Sequence, residues 1–458
     1  MTPTKKLRKA ALGACAAVLA LLASACVSGP LPVLPADPTL TNRGYIQREY
    51  FLDGKADAYG PVGALGSDGH WTVQPVSKAA YRTRLLVKRP ADAAKFNGTV
   101  LVEWLNVSSG FDVDVTFGAA IDELLRDGYA YVGVSVQKIG VDGLAGGDTS
   151  RYGSLFHPGD EYSYDIFTQA GRAVRGTIGE DPLGGLEPER LLAAGESQSA
   201  FRMVTYINAV NPLAHAFDGF FVYSRGSNAA SLGAGTTLPA NALMRTDQPE
   251  PILDVQTEGD IVVLRSHLAR QDDNSKFRLW EVAGGAHADE HTLSRKNPPN
   301  ATAPGSPCEF RANSVATFAV VSAAVSGLDH WVATGIAPRR AARITLGNDV
   351  SVADPVVRDQ FGNALGGIRM AELEAPIARI DGLPNPAPAG APPLFQGFCR
   401  LFGRTLPFTD AQLAQLYPTH QDYVDAFNAA IDRLVARGFV LREDATPMKL
   451  AAAAAPVP

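Results

Sequence analysis

Between residues 99 and 282, short and almost uninterrupted apolar runs alternate with segments of helical spacing. That alternation narrows the fold more than any other feature of the chain. Thr99–Leu105 (TVLVEWL), Tyr129–Val136, Arg190–Ala194, Phe220–Tyr223, Ile252–Gln256 and Phe277–Val282 read as strands. Phe111–Arg126, Asp160–Gly176 and Ala200–Val210 read as the helices between them. A strand that is apolar on both faces must be covered on both faces, and a helix between successive strands makes the crossover that parallel pairing needs. The expected class is α/β: a mostly parallel central sheet with helices on both faces.

The flanks break the rhythm. Tyr45 to Lys88 holds short β-type runs, among them Tyr81–Val87. Residues 226–250 form a Gly/Ala/Asn-rich interruption, either a lid or a long connection. Past residue 300 a helix at Ser314–Ala333 gives way to irregular Pro/Gly-rich sequence up to about 405, and helices follow at Asp410–Leu416 and Tyr423–Arg437. The expected organisation is a signal at 1–26, a flexible tether at 27–44, a core at 45–300, a C-terminal helical and irregular extension packed on the core at 301–445, and a disordered tail at 446–458. With 46% apolar and 19% charged residues, a mostly disordered chain is excluded.

The start reads as an export signal. Lys5, Lys6, Arg8 and Lys9 precede the apolar run Ala10–Ala23, which is too short to span a membrane, and then Ala23-Ser24-Ala25-Cys26. Small residues before a cysteine resemble a bacterial lipobox, which makes Cys26 a lipidation site and the chain a cell-envelope lipoprotein. Ordinary cleavage after Ala25, giving a soluble secreted or periplasmic protein, is the rival. No acid offsets those four basic residues within the first 25, so the remainder is more acidic than the formal charge of −6. Nucleic acid is therefore not an expected partner. Cys308 and Cys399 remain as a possible disulfide, which would close a loop of about 90 residues and contribute roughly 4 kcal/mol.

Residues 191–201 (LLAAGESQSAF) read as strand, sharp turn and helix, centred on Ser197. A nucleophilic serine needs such an elbow, because the turn lifts Oγ to the carboxyl end of the sheet and the helix N-terminus faces the developing negative charge. The usual pattern is G-x-S-x-G; here Ser199 takes the last place. Acid and base follow in the hydrolase order, each after a strand: Asp260 after Ile252–Gln256 and His287 after Phe277–Val282. Glu258 is the alternative acid. Ser197 would attack an acyl carbon, His287 move its proton, and Asp260 fix the imidazole. The oxyanion donors are assigned to the Gln198 backbone N–H and to Asn106 or Val107 in the loop after Thr99–Leu105.

A second pattern competes. His287-Ala-Asp-Glu290-His291 spells H-x-x-E-H, a zinc-peptidase motif with ligands four apart on one helix face. No Walker loop or dinucleotide fingerprint occurs in the sequence.

The stretches Val100–Ser108 (VLVEWLNVS), Gly195–Ala200 (GESQSA), Tyr162–Phe167 (YSYDIF) and Asp359–Arg369 (DQFGNALGGIR), with Phe398-Cys399, resemble the α/β-hydrolase superfamily. More narrowly, they are similar to a group of bacterial α/β-hydrolase-domain proteins, over roughly residues 45 to 445. Met370-Ala371 departs from the Leu-Pro pair usual after Gly-Gly-Ile-Arg. The resemblance implies an α/β-hydrolase fold with an eight-stranded type of core and a serine esterase-like mechanism that uses Ser197 and His287. The acid's location varies among hydrolases, so Asp260 rests on its order and spacing. The expectation is an exported serine hydrolase acting on a small-molecule carboxylic ester, without a cofactor, touching a membrane only through an N-terminal lipid anchor. A catalytically silent hydrolase-fold lipoprotein that binds a ligand or envelope partner is the alternative from another class.

Overall fold

The computed structural model describes residues 25–176, 179–295 and 308–457. The chain divides into two compact units. The first holds residues up to Phe117 with Ile121–Val222 and Asn228–Ile252; the second holds Gly118–Ala120, Tyr223–Ser227 and everything from Leu253 on.

The first unit carries β1 (Cys26–Ser28), β2 (Tyr45–Pro61), β3 (Val73–Pro90), β4 (Thr99–Trp104), β5 (Ala130–Val134), β6 (Arg190–Glu196) and β7 (Gly219–Tyr223). They lie in the order β1-β2-β3-β5-β4-β6-β7. The first three neighbouring pairs are antiparallel, whereas β5, β4 and β6 pair in parallel. Every residue of β4 and β5 is buried, as continuous apolar strands inside a covered parallel sheet must be. Three helices follow strands: α1 (Val115–Arg126), α2 (Ser163–Arg175) and α3 (Gln198–Thr205). Trp104 of β4 meets Tyr164 and Phe167 of α2, with ring centroids 5.5 and 5.2 Å apart.

The second unit carries β8 (Ile252–Thr257), β9 (Phe277–Ala283) and β10 (Ile368–Arg369) in that order, with β10 parallel to β9. A separate antiparallel pair joins β11 (Ala378–Asp381) to β12 (Arg404–Pro407). Its helices include α4 (Glu258–Val263), α5 (Glu290–Arg295), α6 (Thr317–Thr334), α7 (His420–Arg437) and α8 (Arg442–Ala453). Among the described residues no helix is long and apolar enough to cross a membrane.

Three expectations need correction. The tether at 27–44 contains strand and helix: β1 pairs with β2, and Pro38–Thr41 is a helical turn capped by the Asp37 side chain. The short β-runs from Tyr45 to Lys88 are two strands of 17 and 18 residues paired with each other. The tail is helical to Ala453, because alanine is the best helix former and Met448 and Ala452 have an apolar surface to bury against. The 226–250 segment is irregular, but Leu232, Ala242 and Met244 are buried in it. Two of its carbonyls are held by side chains from helices, Ser231 O accepting from Tyr164 Oη at 2.7 Å and Leu243 O from Asn208 Nδ2 at 2.8 Å. It is a packed connection.

Candidate active site

The passage from β6 to α3 is strained at one residue. Ser197 has φ 54° and ψ −118°. Among the described residues four non-glycine residues have positive φ, and of these His215 and Arg265 sit in the ordinary left-handed basin. Such a conformation costs about 1–3 kcal/mol and persists only where its surroundings over-determine it. Here they do. A Cβ on Gly195 would stand 2.8 Å from Ser199 O, so only glycine lets strand and helix approach this closely. Ser199 occupies the place usually held by the second glycine and staples the turn: its Oγ donates to Glu196 O at 2.8 Å and accepts from Glu196 N at 3.3 Å. Ser197 and Gln198 are half-buried. The Gln198 N–H is the first amide of α3, which the helix itself leaves without an acceptor.

The loop after β4 is tied to the same turn. Asn106 Nδ2 donates to Glu196 O and Glu196 Oε2, both at 3.0 Å. Its Oδ1 accepts from Ser108 N at 2.8 Å, and its own N–H donates to Val113 O at 3.0 Å. Every donor of Asn106 is therefore engaged, which removes it as an oxyanion donor and makes it the clamp between loop and elbow. Val107 N–H has no acceptor among the described residues; the N–H groups of Ser109, Phe111 and Asp112 in the same loop have none either, and Val107 is the one nearest the end of β4. Glu103 of β4 anchors the far side, accepting from Thr116 N at 2.7 Å and Phe117 N at 3.1 Å at the start of α1, and from Tyr131 Oη at 2.9 Å. Burial pushes its carboxyl up to about 7, with repulsion from Asp114 adding to the effect.

In the second unit, β8 runs into α4 through a capping box. The Thr257 backbone N–H and hydroxyl donate to Asp260 Oδ2 at 2.7 and 2.9 Å. That fixes the carboxylate and leaves Oδ1 facing His287, whose Nδ1 lies 2.6 Å away. The two side chains are 0% and 4% exposed. Gly259 is required between them, since a Cβ there would stand 2.7 Å from His287 N. Glu258, the alternative acid, is engaged elsewhere. Its Oε2 accepts from Gly284 N at 2.9 Å, and its Oε1 from Arg358 Nη2 at 2.8 Å and Gly382 N at 3.0 Å. Burial raises the Glu258 pKa and Arg358 pulls it back down. Asn313 Nδ2 adds bonds to Gly284 O at 2.6 Å and Asp381 O at 3.0 Å.

The H-x-x-E-H reading is corrected by where its side chains go. The helix begins only at Glu290, so His287 lies before it and faces Asp260. His291 stacks on Phe318 with ring centroids 4.1 Å apart, and Glu290 makes a two-pronged pair with Arg311 at 3.0 and 2.8 Å. Among the described residues no three His, Cys, Asp or Glu side chains gather as a metal site. Cys308 and Cys399 form a disulfide. Cys26 is 1% exposed and lies opposite Asp53 in the β1–β2 pair. Residues 1–24 of the export signal expected at 1–26 lie outside the described residues. Sequence reasoning missed the Asn106–Glu196 clamp and the strut formed by Arg358 and Gly382; neither has a spacing signature, since each joins residues 90 or more apart.

The family described as "Alpha/beta hydrolase domain" matches residues 22–449. No curated protein matches the sequence. Solved structures similar to it include a putative dienelactone hydrolase from Klebsiella pneumoniae, 12% identical, covering 50% of this chain and 85% of that one with a TM-score of 0.27. An α/β serine hydrolase without lid from Xanthomonas campestris is 13% identical, covering 49% and 83% with a TM-score of 0.28. A putative acetyl xylan esterase from Bacteroides fragilis is 12% identical, covering 60% and 74% with a TM-score of 0.29.

Proposed function

This chain belongs to the alpha/beta hydrolase domain family, and from that premise we propose that it is a serine hydrolase that cleaves a carboxylic ester through Ser197, His287 and Asp260. The observation that carries the reading is the strained backbone of Ser197 at the β6–α3 turn, which the close approach at Gly195, the Ser199 hydroxyl and the Asn106 side chain hold in place. The His287–Asp260 pair supports it, because a histidine held by a carboxylate at Nδ1 presents Nε2 as the proton acceptor.

In the proposed cycle His287 Nε2 takes the Ser197 hydroxyl proton as Oγ bonds to the ester carbon. The oxyanion is met by the N–H groups of Gln198 and Val107. Collapse breaks the C–O bond to the alcohol, which leaves with the proton from His287. Water then enters, gives its proton to His287 and attacks the acyl-enzyme, and the carboxylic acid departs as Ser197 recovers its proton. Asp260 stays ionised and stabilises the imidazolium.

Fluorophosphonate labelling of the purified protein beside Ser197→Ala, with and without EDTA, tests the mechanism. Labelling that disappears in the variant and ignores EDTA is expected, together with a loss of at least about 10⁴ in ester turnover. A well-folded wild type that does not label would instead favour the silent, ligand-binding reading.

We further propose export, with the lipobox-like Ala23-Ser24-Ala25-Cys26 as its basis. Lipidation at Cys26 requires a free thiol released from β1, whereas the Cys26 sulfur is disulfide-bonded and buried in this structure. Intact-mass analysis of the membrane fraction decides between a diacylglyceryl Cys26 and simple cleavage after Ala25.

A further inference from the structure

In the second unit a cleft of about 360 Å³ opens between β10, the segment that follows α6, and the C-terminal half of α7. Arg339, Arg340, Arg369, Arg433 and Arg437 line it, and Glu374 is the one acid among them. The lining also includes the buried apolar side chains of Ile368, Leu434 and Phe439. Five guanidiniums around one concavity stand out in a chain whose formal charge is −6.

Only part of that charge is neutralised within the fold. Arg369 is fully engaged, donating to Glu374 Oε1 at 2.6 Å, Asp359 Oδ2 at 3.0 Å and Leu373 O at 2.9 Å. The second oxygen of Glu374 lies 3.7 Å from Arg433. Arg339, Arg340 and Arg437 have no carboxylate partner among the described residues. Arg339, Arg340, Arg433 and Arg437 are all exposed. The contrast with arginines elsewhere is direct: Arg84, Arg225 and Arg270 each meet a carboxylate at 3.1 Å or less. The field reaches Arg278, whose pKa is lowered by burial first and then by repulsion from Arg340 and Arg343, against the attraction of Asp273.

A helix C-terminus favours a cation, which accounts for Arg437 in the last turn of α7. It does not account for Arg433 one turn earlier on the same face, or for the Arg339-Arg340 pair brought in from another segment. Like charges gathered around a cleft repel one another unless an anion joins them. Concave surfaces focus such a field, and the planar guanidinium fork matches phosphate oxygens two at a time.

We propose that this cleft binds a phosphate-bearing ligand with at least two anionic groups. Arg433 and Arg437 grip it from α7 and Arg339 and Arg340 from the facing segment, while Arg369, fixed by its own bonds, shapes the wall. A soluble polyphosphorylated molecule and the headgroups of anionic phospholipids present the same chemistry. The proposal is independent of the serine mechanism and survives its failure.

The test uses the full chain and inorganic tripolyphosphate in titration calorimetry at about 50 mM salt, where screening is moderate. A parallel arm measures co-sedimentation with phosphatidylglycerol vesicles against phosphatidylcholine vesicles. Two variants are compared, Arg433→Ala/Arg437→Ala and Arg339→Ala/Arg340→Ala, with the exposed Arg400→Ala as control. Each double variant is expected to weaken binding at least tenfold with ester turnover unchanged, and the control less than twofold. The second pair lies outside any helix, so it keeps the test valid if the α7 pair perturbs folding. Binding in the calorimeter assigns a soluble ligand, and binding to anionic vesicles alone assigns a lipid headgroup. Failure to bind in both arms, or binding that both double variants leave intact, overturns the proposal.

Discussion

The elbow around Ser197 and the loops around Asp260 and His287 are built in opposite ways. The elbow is held by residues within five positions of one another: Gly195 gives close approach, Ser199 staples the turn, and only Asn106 reaches in from a distance. The acid and histidine loops are held from far along the chain. Glu258 beneath them is bound by Arg358 and Gly382, at separations of 100 and 124 residues, and Gly284 by Asn313. A strained turn made locally keeps its strain wherever β6 and α3 form. A histidine–carboxylate pair supported remotely depends on the segments that bring in Asn313, Arg358 and Gly382.

The largest effect that can sharpen this contrast is on the pair itself. Asp260→Asn keeps the size of the side chain and removes the charge that orients His287. It should lower kcat by about 10⁴ while fluorophosphonate labelling slows in proportion. Glu258→Gln serves as the companion. If it costs as much turnover as Asp260→Asn without loss of stability, the acid has been assigned to the wrong carboxylate.

Next come two perturbations of the remote support. The Cys308–Cys399 disulfide closes a loop with a sequence separation of 91. Replacing both cysteines by serine should lower unfolding free energy by about 4 kcal/mol in urea titrations. Arg358→Ala leaves the buried Glu258 carboxylate without its cation, which should cost about 3 kcal/mol. The deficit has a pH signature. Burial already raises the Glu258 pKa, and losing Arg358 raises it further. An acid whose folded pKa lies above its unfolded value contributes stability at low pH and loses it as pH rises through the folded value. The unfolded value is common to both proteins, so the Arg358→Ala deficit should be smallest below the raised Glu258 pKa of the wild type and widen as pH climbs from that value through the variant's still higher one. A deficit independent of pH would mean that Arg358 acts by packing, and the remote strut would lose its electrostatic basis.

This division also decides what the sequence could reveal. β4, β5, β6, β8 and β9 were legible because each is a continuous apolar run with turn residues at its ends. Ser197, Asp260 and His287 could be located as candidates because each follows such a strand. The long β2–β3 pair was not legible: β3 begins with a stretch exposed at nearly every position, which carries no period-two pattern. The role of Asn106 was misjudged for a related reason. Its position in the loop after β4 was legible, but the partner that engages its side chain is Glu196, 90 residues away, and no local pattern records that bond. Likewise, H-x-x-E-H spells a motif only if His287 is helical. The helix starts only at Glu290, where the Asp289 side chain accepts from Thr292 N at 2.8 Å, and that leaves His287 ahead of it.

The smallest predicted effect falls on the local device. Ser199→Ala removes one hydroxyl that donates to Glu196 O and accepts from Glu196 N, in a site with no exposure to water. Glu196 O keeps its bond from Asn106 Nδ2, so the change removes one of the two bonds to that carbonyl and the bond that Glu196 N donates to Ser199 Oγ. The expected loss is about 1 kcal/mol of stability and a few-fold in kcat, with KM unchanged, because the turn relaxes while the substrate surface stays in place. Ser199→Gly is the informative partner. Glycine restores the residue usual at this position of the elbow and removes the same hydroxyl, but adds backbone freedom at the second residue of α3. If alanine and glycine cost the same, the hydroxyl staple is what holds the strain at Ser197. If glycine restores full turnover, close approach alone is enough, and the serine at 199 is a substitution that the elbow tolerates without using.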